Sequence, residues 1–221
     1  MSGAARQLLV FGTGGFAREA EWLAECVHGG GQESPVAAFV DRDGSPLLGR
    51  ALHGLPVLTL AEAARRHAKA RFVVGIGDPR IRAQVAAEAL AAGLEAAALI
   101  HPTVSMSRHV RLGAGSLICA GSILTCDIAL GRHVHINLDC TIGHDVTIGD
   151  FVTVSPGVHI SGNVQIGNFA SIGTGAAIIN GAPDRPLVIG EGAIIGAQAC
   201  VVGDVPPGAT VVGVPARARS K

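Results

Sequence analysis

From Ile100 to Ile178, every sixth residue is Ile, Leu, Val or Met, fourteen times without a miss. The series runs through Met106, Leu112, Ile118, Leu124, Leu130, Ile136, Ile142, Ile148, Val154, Ile160, Ile166 and Ile172. A period of six fits neither the 3.6-residue turn of a helix nor the two-residue alternation of an isolated strand. It predicts short strands that coil around a narrow prism, each repeat turning its aliphatic residue inward. The residue two before each aliphatic is mostly small or β-branched, as at Val110, Ser116, Cys140, Val158 and Ala176, which suits a tight interior. Gly follows the aliphatic at Gly113, Gly131, Gly143, Gly149, Gly167 and Gly173. These glycines are read as corners that need unusual backbone angles. The step from Ile178 to Ile189 is eleven, so about five residues are expected to loop out before the spacing resumes at Ile195 and Val201.

The first ~95 residues follow a different rhythm. Apolar runs at Gln7–Phe11, Val36–Val40, Arg71–Ile76 and Leu94–Ile100 read as strands. GTGGFAREAEWLAECV reads as a glycine turn opening a helix, PVLTLAEAARRHA as a turn and a helix, and RIRAQVAAEALAAG as a helix closed by Gly93. Alternating strands and helices predict a small parallel α/β sheet. The expected organisation is a Rossmann-like half-domain over 1–98 and a parallel β-helix over 99–221. His101-Pro102 marks the approach to the repeats. DVPPGATVVGVPARARSK is read as a proline-punctuated tail that leaves the repeat.

Composition narrows the classes. Formal net charge is zero, with no basic stripe of the kind that binds nucleic acid. No apolar stretch has the length and composition of a membrane span. The start lacks a signal-peptide layout. The five cysteines are odd in number and form no CxxC. They are read as reduced thiols of a cytoplasmic protein.

Two places carry candidate chemistry. Gly12-Thr13-Gly14-Gly15-Phe16-Ala17 fits G-x-G-x-x-A between a strand and a helix, and Asp41 ends the next strand. Backbone N–H groups at such a helix start suit an anionic nucleotide. Fewer than ~100 residues precede the repeats, so a mononucleotide or nucleotide-sugar fits better than a dinucleotide. A tight turn without a ligand is the alternative.

The second place is His144. Three hexads make one coil, so residues eighteen apart are expected to stack at a strand spacing of ~4.8 Å. His144 then stacks on Gly162 and on Cys126, beside Asp145. An imidazole near a corner suits a base at neutral pH, Asp145 or a backbone carbonyl could orient it, and the Gly162 N–H suits a developing oxyanion. Of the scattered histidines, His135 is read as near this site. No metal-ligand spacing occurs within the chain.

With these residues in hand, the chain resembles the left-handed β-helix acyltransferases, and more narrowly the sialic acid O-acetyltransferase and nucleotide-amino-sugar N-acetyltransferase family. The resemblance covers nearly the whole chain. It rests on GTGGFARE, FVD, GIGDPRIR, LIHP, HINLDCTIGHDVTIGDFV, HISGNVQIG and VVGVPAR. It implies a homotrimer with acetyl-CoA in the groove between adjacent β-helices and no metal. It implies that His144 is the general base, that Asp145 orients it, and that the Gly162 N–H meets the thioester carbonyl. Thr153, Gly173, Thr174, Val214, Pro215 and Arg217 are assigned with Gly162 to CoA. The nucleotide-sugar falls to Gly12, Thr13, Gly14, Gly15, Phe16, Asp41, Gly77, Asp78 and Arg82, with Asn137 on the acceptor side. Two departures stand out: Phe16 occupies a place where many relatives carry His, and Thr153 one where some amino-sugar acetyltransferases carry a second His. Both bear on the acceptor more than on the reaction.

The leading expectation is acetyl transfer to the amino group of a nucleotide-linked deoxy-aminosugar that feeds surface glycan synthesis. O-acetylation of a sugar hydroxyl is the rival within the class. A metal-dependent hydratase on the same β-helix and a non-catalytic nucleotide-sensing partner are the rivals outside it.

Overall fold

The structure, a computed structural model, describes residues 7–29 and 34–219. The chain forms two compact units, Met1–His101 and Pro102–Lys221.

The amino-terminal unit is a six-stranded sheet with helices. Its elements are β1 (Leu8–Phe11), α1 (Gly15–Val27), β2 (Val36–Val40), β3 (Ala51–Leu52), β4 (Leu55–Leu58), α2 (Leu60–Arg66), β5 (Arg71–Val74), α3 (Pro79–Ala91) and β6 (Glu95–Ala96). The spatial order is β3-β4-β2-β1-β5-β6, parallel except for the β3–β4 hairpin. β1 is buried at all four residues, as a central parallel strand must be. α2 begins with a capping box, where Thr59 and Glu62 each satisfy the other's backbone N–H.

Two expectations need correction. Leu55–Leu58 is a strand, not part of a turn. It is short and contains Pro56, which hides its strand character, and His53-Gly54 at positive φ turn the chain into it. The strand expected over Leu94–Ile100 is two pieces, β6 and Leu99–Ile100.

The second unit is the left-handed parallel β-helix. Thr153 pairs with Ser171, Thr141 with His159 and Val146 with Val164, all eighteen apart. After residue 180 the offset becomes twenty-three, as in Ser171 with Ile194 and Ala177 with Cys200. The five extra residues form a loop around an Ala182–Arg185 bridge. Inward residues such as Val134, Ile136, Ile142, Val152, Val154 and Ile160 are at most 2% exposed. Each such aliphatic contributes about 1.5–3 kcal/mol by leaving water.

The corners work differently from the expectation. The glycine after each aliphatic is needed for close approach, not for its angle. A Cβ on Gly143 would stand 2.7 Å from Gly162 N, and one on Gly173 would stand 2.6 Å from Ala197 N. The left-handed position is three after the aliphatic. Gly121, Asp127, Asp139, Asp145, Gly157 and Asn163 occupy it with positive φ. Gly, Asn and Asp are the residues that visit this region most readily. One corner carries His133, Phe151 and Phe169 there instead. Their rings stack at 5.3 and 5.5 Å, nearly parallel, which offsets the backbone cost.

The segment read as a tail also stays in the repeat longer than expected. Thr210–Val212 still pairs in parallel with Ile194–Ile195, and Arg217–Ala218 then folds back antiparallel on it. The return strand covers an edge that would otherwise be open. Among the described residues, no helix is long and apolar enough to cross a membrane.

Candidate active site

His144 sits at a corner whose backbone is pinned on both sides. Asp145 N donates to Cys126 O at 3.2 Å, and Asn163 N donates to His144 O at 3.0 Å. Asp145 has φ +56°, which turns its carboxylate back toward the imidazole. His144 Nδ1 lies 2.8 Å from Asp145 Oδ2, and both side chains are more than half exposed. An ionised carboxylate only accepts, so Nδ1 carries the proton and the Nε2 lone pair is left to act. The ring lies over Gly162, where an added Cβ would come within 2.6 Å of Nε2. Imidazole, carboxylate and side-chain-free backbone therefore meet at one corner. An imidazole so placed can take up a proton, and a backbone amide beside it can face developing negative charge.

The remaining residues assigned to this end stand elsewhere on the prism. Asn137 is at the preceding corner, its Oδ1 accepting from Leu138 N at 2.8 Å. Gly173 and Thr174 lie at that same corner two coils on, by the eighteen-residue register. Thr153 lies on the face between His135 and Ser171. His135 is buried at 1% exposure. Val214 and Pro215 lie in the final turn, held by Cys200 N to Gly213 O and Ala216 N to Cys200 O, and Arg217 begins the return strand. Val214 is 75% exposed. One chain thus carries His144, Asp145 and Gly162 on one corner and Asn137, Gly173 and Thr174 on another.

In the amino-terminal unit, the glycine turn is held open and rigid. Gly12 has φ +102°, and a Cβ there would meet Ile76 Cγ1 at 3.1 Å. Gly75 must lack a side chain, because an added Cβ would press on the backbone of Ala17 in α1. A Cβ on Gly14 or Gly15 would meet nothing within 4 Å, so the start of α1 faces open space. α1 has no side-chain cap at Gly14, and a helix start of this kind favours an anion. Phe16 is half-buried in the first turn of α1.

Asp41 is a staple across this turn. Its carboxylate accepts from Thr13 Oγ1 at 2.7 Å, Ser45 Oγ at 2.7 Å and Arg42 N at 2.8 Å. Burial alone would raise its pKa. The hydrogen bonds from Ser45, Thr13 and Arg42 outweigh that and hold it below its ordinary value. Beside it lies a cavity of about 480 Å³, lined by Gly12, Asp41, Ile76 and the exposed face of α3.

Asp78 caps α3 by accepting from Arg80 N and Ile81 N. Gly77 has open space at its Cβ. Arg82 is fully buried, and its Nη1 donates to Ile76 O at 2.8 Å and Gly77 O at 3.0 Å. Burial pulls its guanidinium down to about 9, against the pull of Asp78. Its reach ends on the loop, so it shapes the cavity and presents no free face to a ligand.

Sequence reading missed the cavity wall of Leu60, Ile81, Gln84 and Val85. The sequence carried no local signal for it, since an aliphatic such as Ile81, 52% exposed, reads the same whether it lines a cavity or faces water. No signal pointed to Ser45. Among the described residues, no three His, Cys, Asp or Glu side chains gather as a metal site would require.

Comparison with known proteins adds independent findings. The model of the PglD N-terminal domain family matches residues 7–89. A GDP-perosamine N-acetyltransferase of Escherichia coli O157:H7 is 36% identical over 215 residues, covering 94% of both chains. WeeI from Acinetobacter baumannii AYE is 36% identical, covers 96% of this chain and 99% of its own, and superposes with a TM-score of 0.90. PerB from Caulobacter crescentus, solved in complex with CoA and GDP-perosamine, is 31% identical over 97% of each chain, with a TM-score of 0.83.

Proposed function

Because the chain belongs to the family of left-handed β-helix acyltransferases that act on nucleotide-linked aminosugars, we propose that it transfers acetyl from acetyl-CoA to the amino group of a nucleotide-linked deoxy-aminosugar, with His144 as general base. The observation that carries this reading is the His144–Asp145 pair lying over Gly162.

The amine attacks only when neutral. His144 Nε2 takes the amine proton as nitrogen closes on the thioester carbonyl. Asp145 keeps the imidazole in the tautomer that leaves Nε2 free, and favours the imidazolium that forms. The Gly162 N–H is the donor for the oxyanion of the tetrahedral intermediate. Collapse breaks the carbon–sulfur bond, and the imidazolium returns the proton to the departing thiolate. No acyl-enzyme forms on this route.

The placement of the assigned residues supports a trimer. His144 and Gly162 stand on one corner, while Gly173 and Thr174 stand on the preceding one, so on this reading a single chain builds half of an acetyl-CoA groove. A second copy would bring its Gly173 corner against the first copy's His144 corner. Acetyl-CoA would then be held by Thr153, Gly162, Gly173, Thr174 and the Val214–Arg217 turn. The amino-terminal unit would hold the nucleotide, with the diphosphate on the uncapped start of α1. On this reading the enzyme works in the cytoplasm, at a step of surface glycan synthesis.

The test is product analysis. Purified protein, acetyl-CoA and a panel of UDP-, dTDP- and GDP-linked aminosugars are incubated, and products are weighed and treated with hydroxylamine. A hydroxylamine-resistant acetyl on one nucleotide-sugar is expected, since an amide survives where an ester does not. No acetylated product from any member of the panel would sink the reading.

A further inference from the structure

The cavity beside the glycine turn combines aliphatic walls with hydrogen-bonding side chains. Leu60, Ile76, Ile81 and Val85 supply aliphatic walls. A flat heterocycle is the part of a nucleotide-sugar that suits such walls. Asp41, Arg42 and Asp43 line one polar side, with Asp41 already engaged by Thr13 and Ser45, and Gln84 and Glu88 supply the polar edge on α3. They stand one turn apart on α3, with Gln84 Nε2 donating to Glu88 Oε1 at 2.9 Å.

That pair has a definite polarity. An ionised Glu88 carboxylate only accepts, whereas the Gln84 amide can donate. Guanine carries two adjacent donors, N1–H and the 2-amino group, next to the O6 acceptor. It can give both donors to one carboxylate and take an N–H at O6. Uracil and thymine place a single N–H between two carbonyl oxygens, so one of those oxygens would face the carboxylate. Adenine turns the N1 lone pair toward it, and cytosine its N3. Unpaired or opposed polar groups on a site built to hydrogen-bond are strongly rejected.

We propose that this cavity reads guanine, with Glu88 accepting from N1–H and the 2-amino group and Gln84 donating to O6. Gln84 and Glu88 are then the specificity-determining residues for the nucleotide half of the substrate. The inference rests on the nucleotide-sugar reading above and sharpens it.

The experiment is calorimetric titration of the full-length protein with GDP, IDP, UDP, dTDP and ADP, repeated with Glu88→Gln. IDP lacks only the 2-amino group. GDP is expected to bind tightest, with IDP weaker by about tenfold or more. Glu88→Gln is expected to lose most of the difference between GDP and IDP while binding CoA unchanged. UDP, dTDP or ADP binding as tightly as GDP, or an unaltered GDP preference in Glu88→Gln, overturns the guanine assignment and leaves the nucleotide-sugar reading standing. A folded wild-type protein that binds none of the five overturns both.

Discussion

At the scale of single residues, His144 and Gly162 make separable demands. His144→Ala should lower kcat by about 10²–10⁴, the range of a positioned general base. Gly162→Ala tests the geometry more finely. Its new methyl meets the exposed His144 ring, a side chain free to swing away. The protein should therefore keep its melting temperature within a degree or two while activity falls at least ~tenfold, because the displaced ring loses its aim. Unchanged activity in Gly162→Ala would break the link between the two residues. Arg82 should behave as a positioning residue. Arg82→Met is expected to raise KM for the nucleotide-sugar with little change in KM for acetyl-CoA, and Arg82→Lys to restore part of the loss, since an ammonium can still reach Ile76 O or Gly77 O. Equal effects on both KM values would mark a general folding defect instead. Asp41 gives a pH signature. Its folded pKa lies below the ordinary 3.8, so its contribution is fully present above that value and is lost as pH falls through the lower folded value. Trp22, the only tryptophan, lies in the same unit and reports the transition by fluorescence. Asp41→Asn should flatten the acid limb of that curve below pH ~4.

At the scale of elements, the β-helix separates two uses of glycine that the sequence presents alike. Gly167 stands where an added Cβ would come within 2.5 Å of Glu191 N and 2.8 Å of its Cα, backbone that cannot swing aside. Gly167→Ala should cost about 1–3 kcal/mol, read as a lowered denaturation midpoint. Its stability cost should exceed that of Gly162→Ala, and the reverse order would contradict the close-approach account. The hexad period made the coil, its register and the length of the 180–186 insertion legible, because each inward aliphatic must recur to fill the prism. The corner angles were not legible from the glycines after Ile142 or Ile166. They depend on coil-to-coil distance, which a one-dimensional period does not carry. Asp145 illustrates both sides. Its place beside His144 was visible, while its positive φ, which brings the carboxylate to Nδ1, emerged only from the corner geometry. Leu55–Leu58 was missed because Pro56 masks a short strand. The cavity wall on α3 was missed because nothing local distinguishes an exposed Ile81 that lines a cavity from one that faces water.

At the scale of the whole molecule, the account depends on more than one copy of the chain. The proposed base and Gly162 stand on one corner and Gly173 and Thr174, also assigned to CoA, on another, so under this proposal a monomer would hold only part of the groove. Sedimentation at working concentration should show a trimer. A monomer that retains full activity would contradict the shared groove. The central claim remains the chemistry at His144, and its most direct measurement is single-turnover CoA release. Wild-type protein and His144→Ala, both shown to be folded and to bind nucleotide, are mixed with acetyl-CoA and a GDP-linked aminosugar across pH 5–9. The account predicts rapid, substrate-dependent release in the wild type, and in His144→Ala a much slower release whose remaining rise with pH is that of the substrate amine losing its proton. The same rate and the same pH profile in both proteins would contradict it.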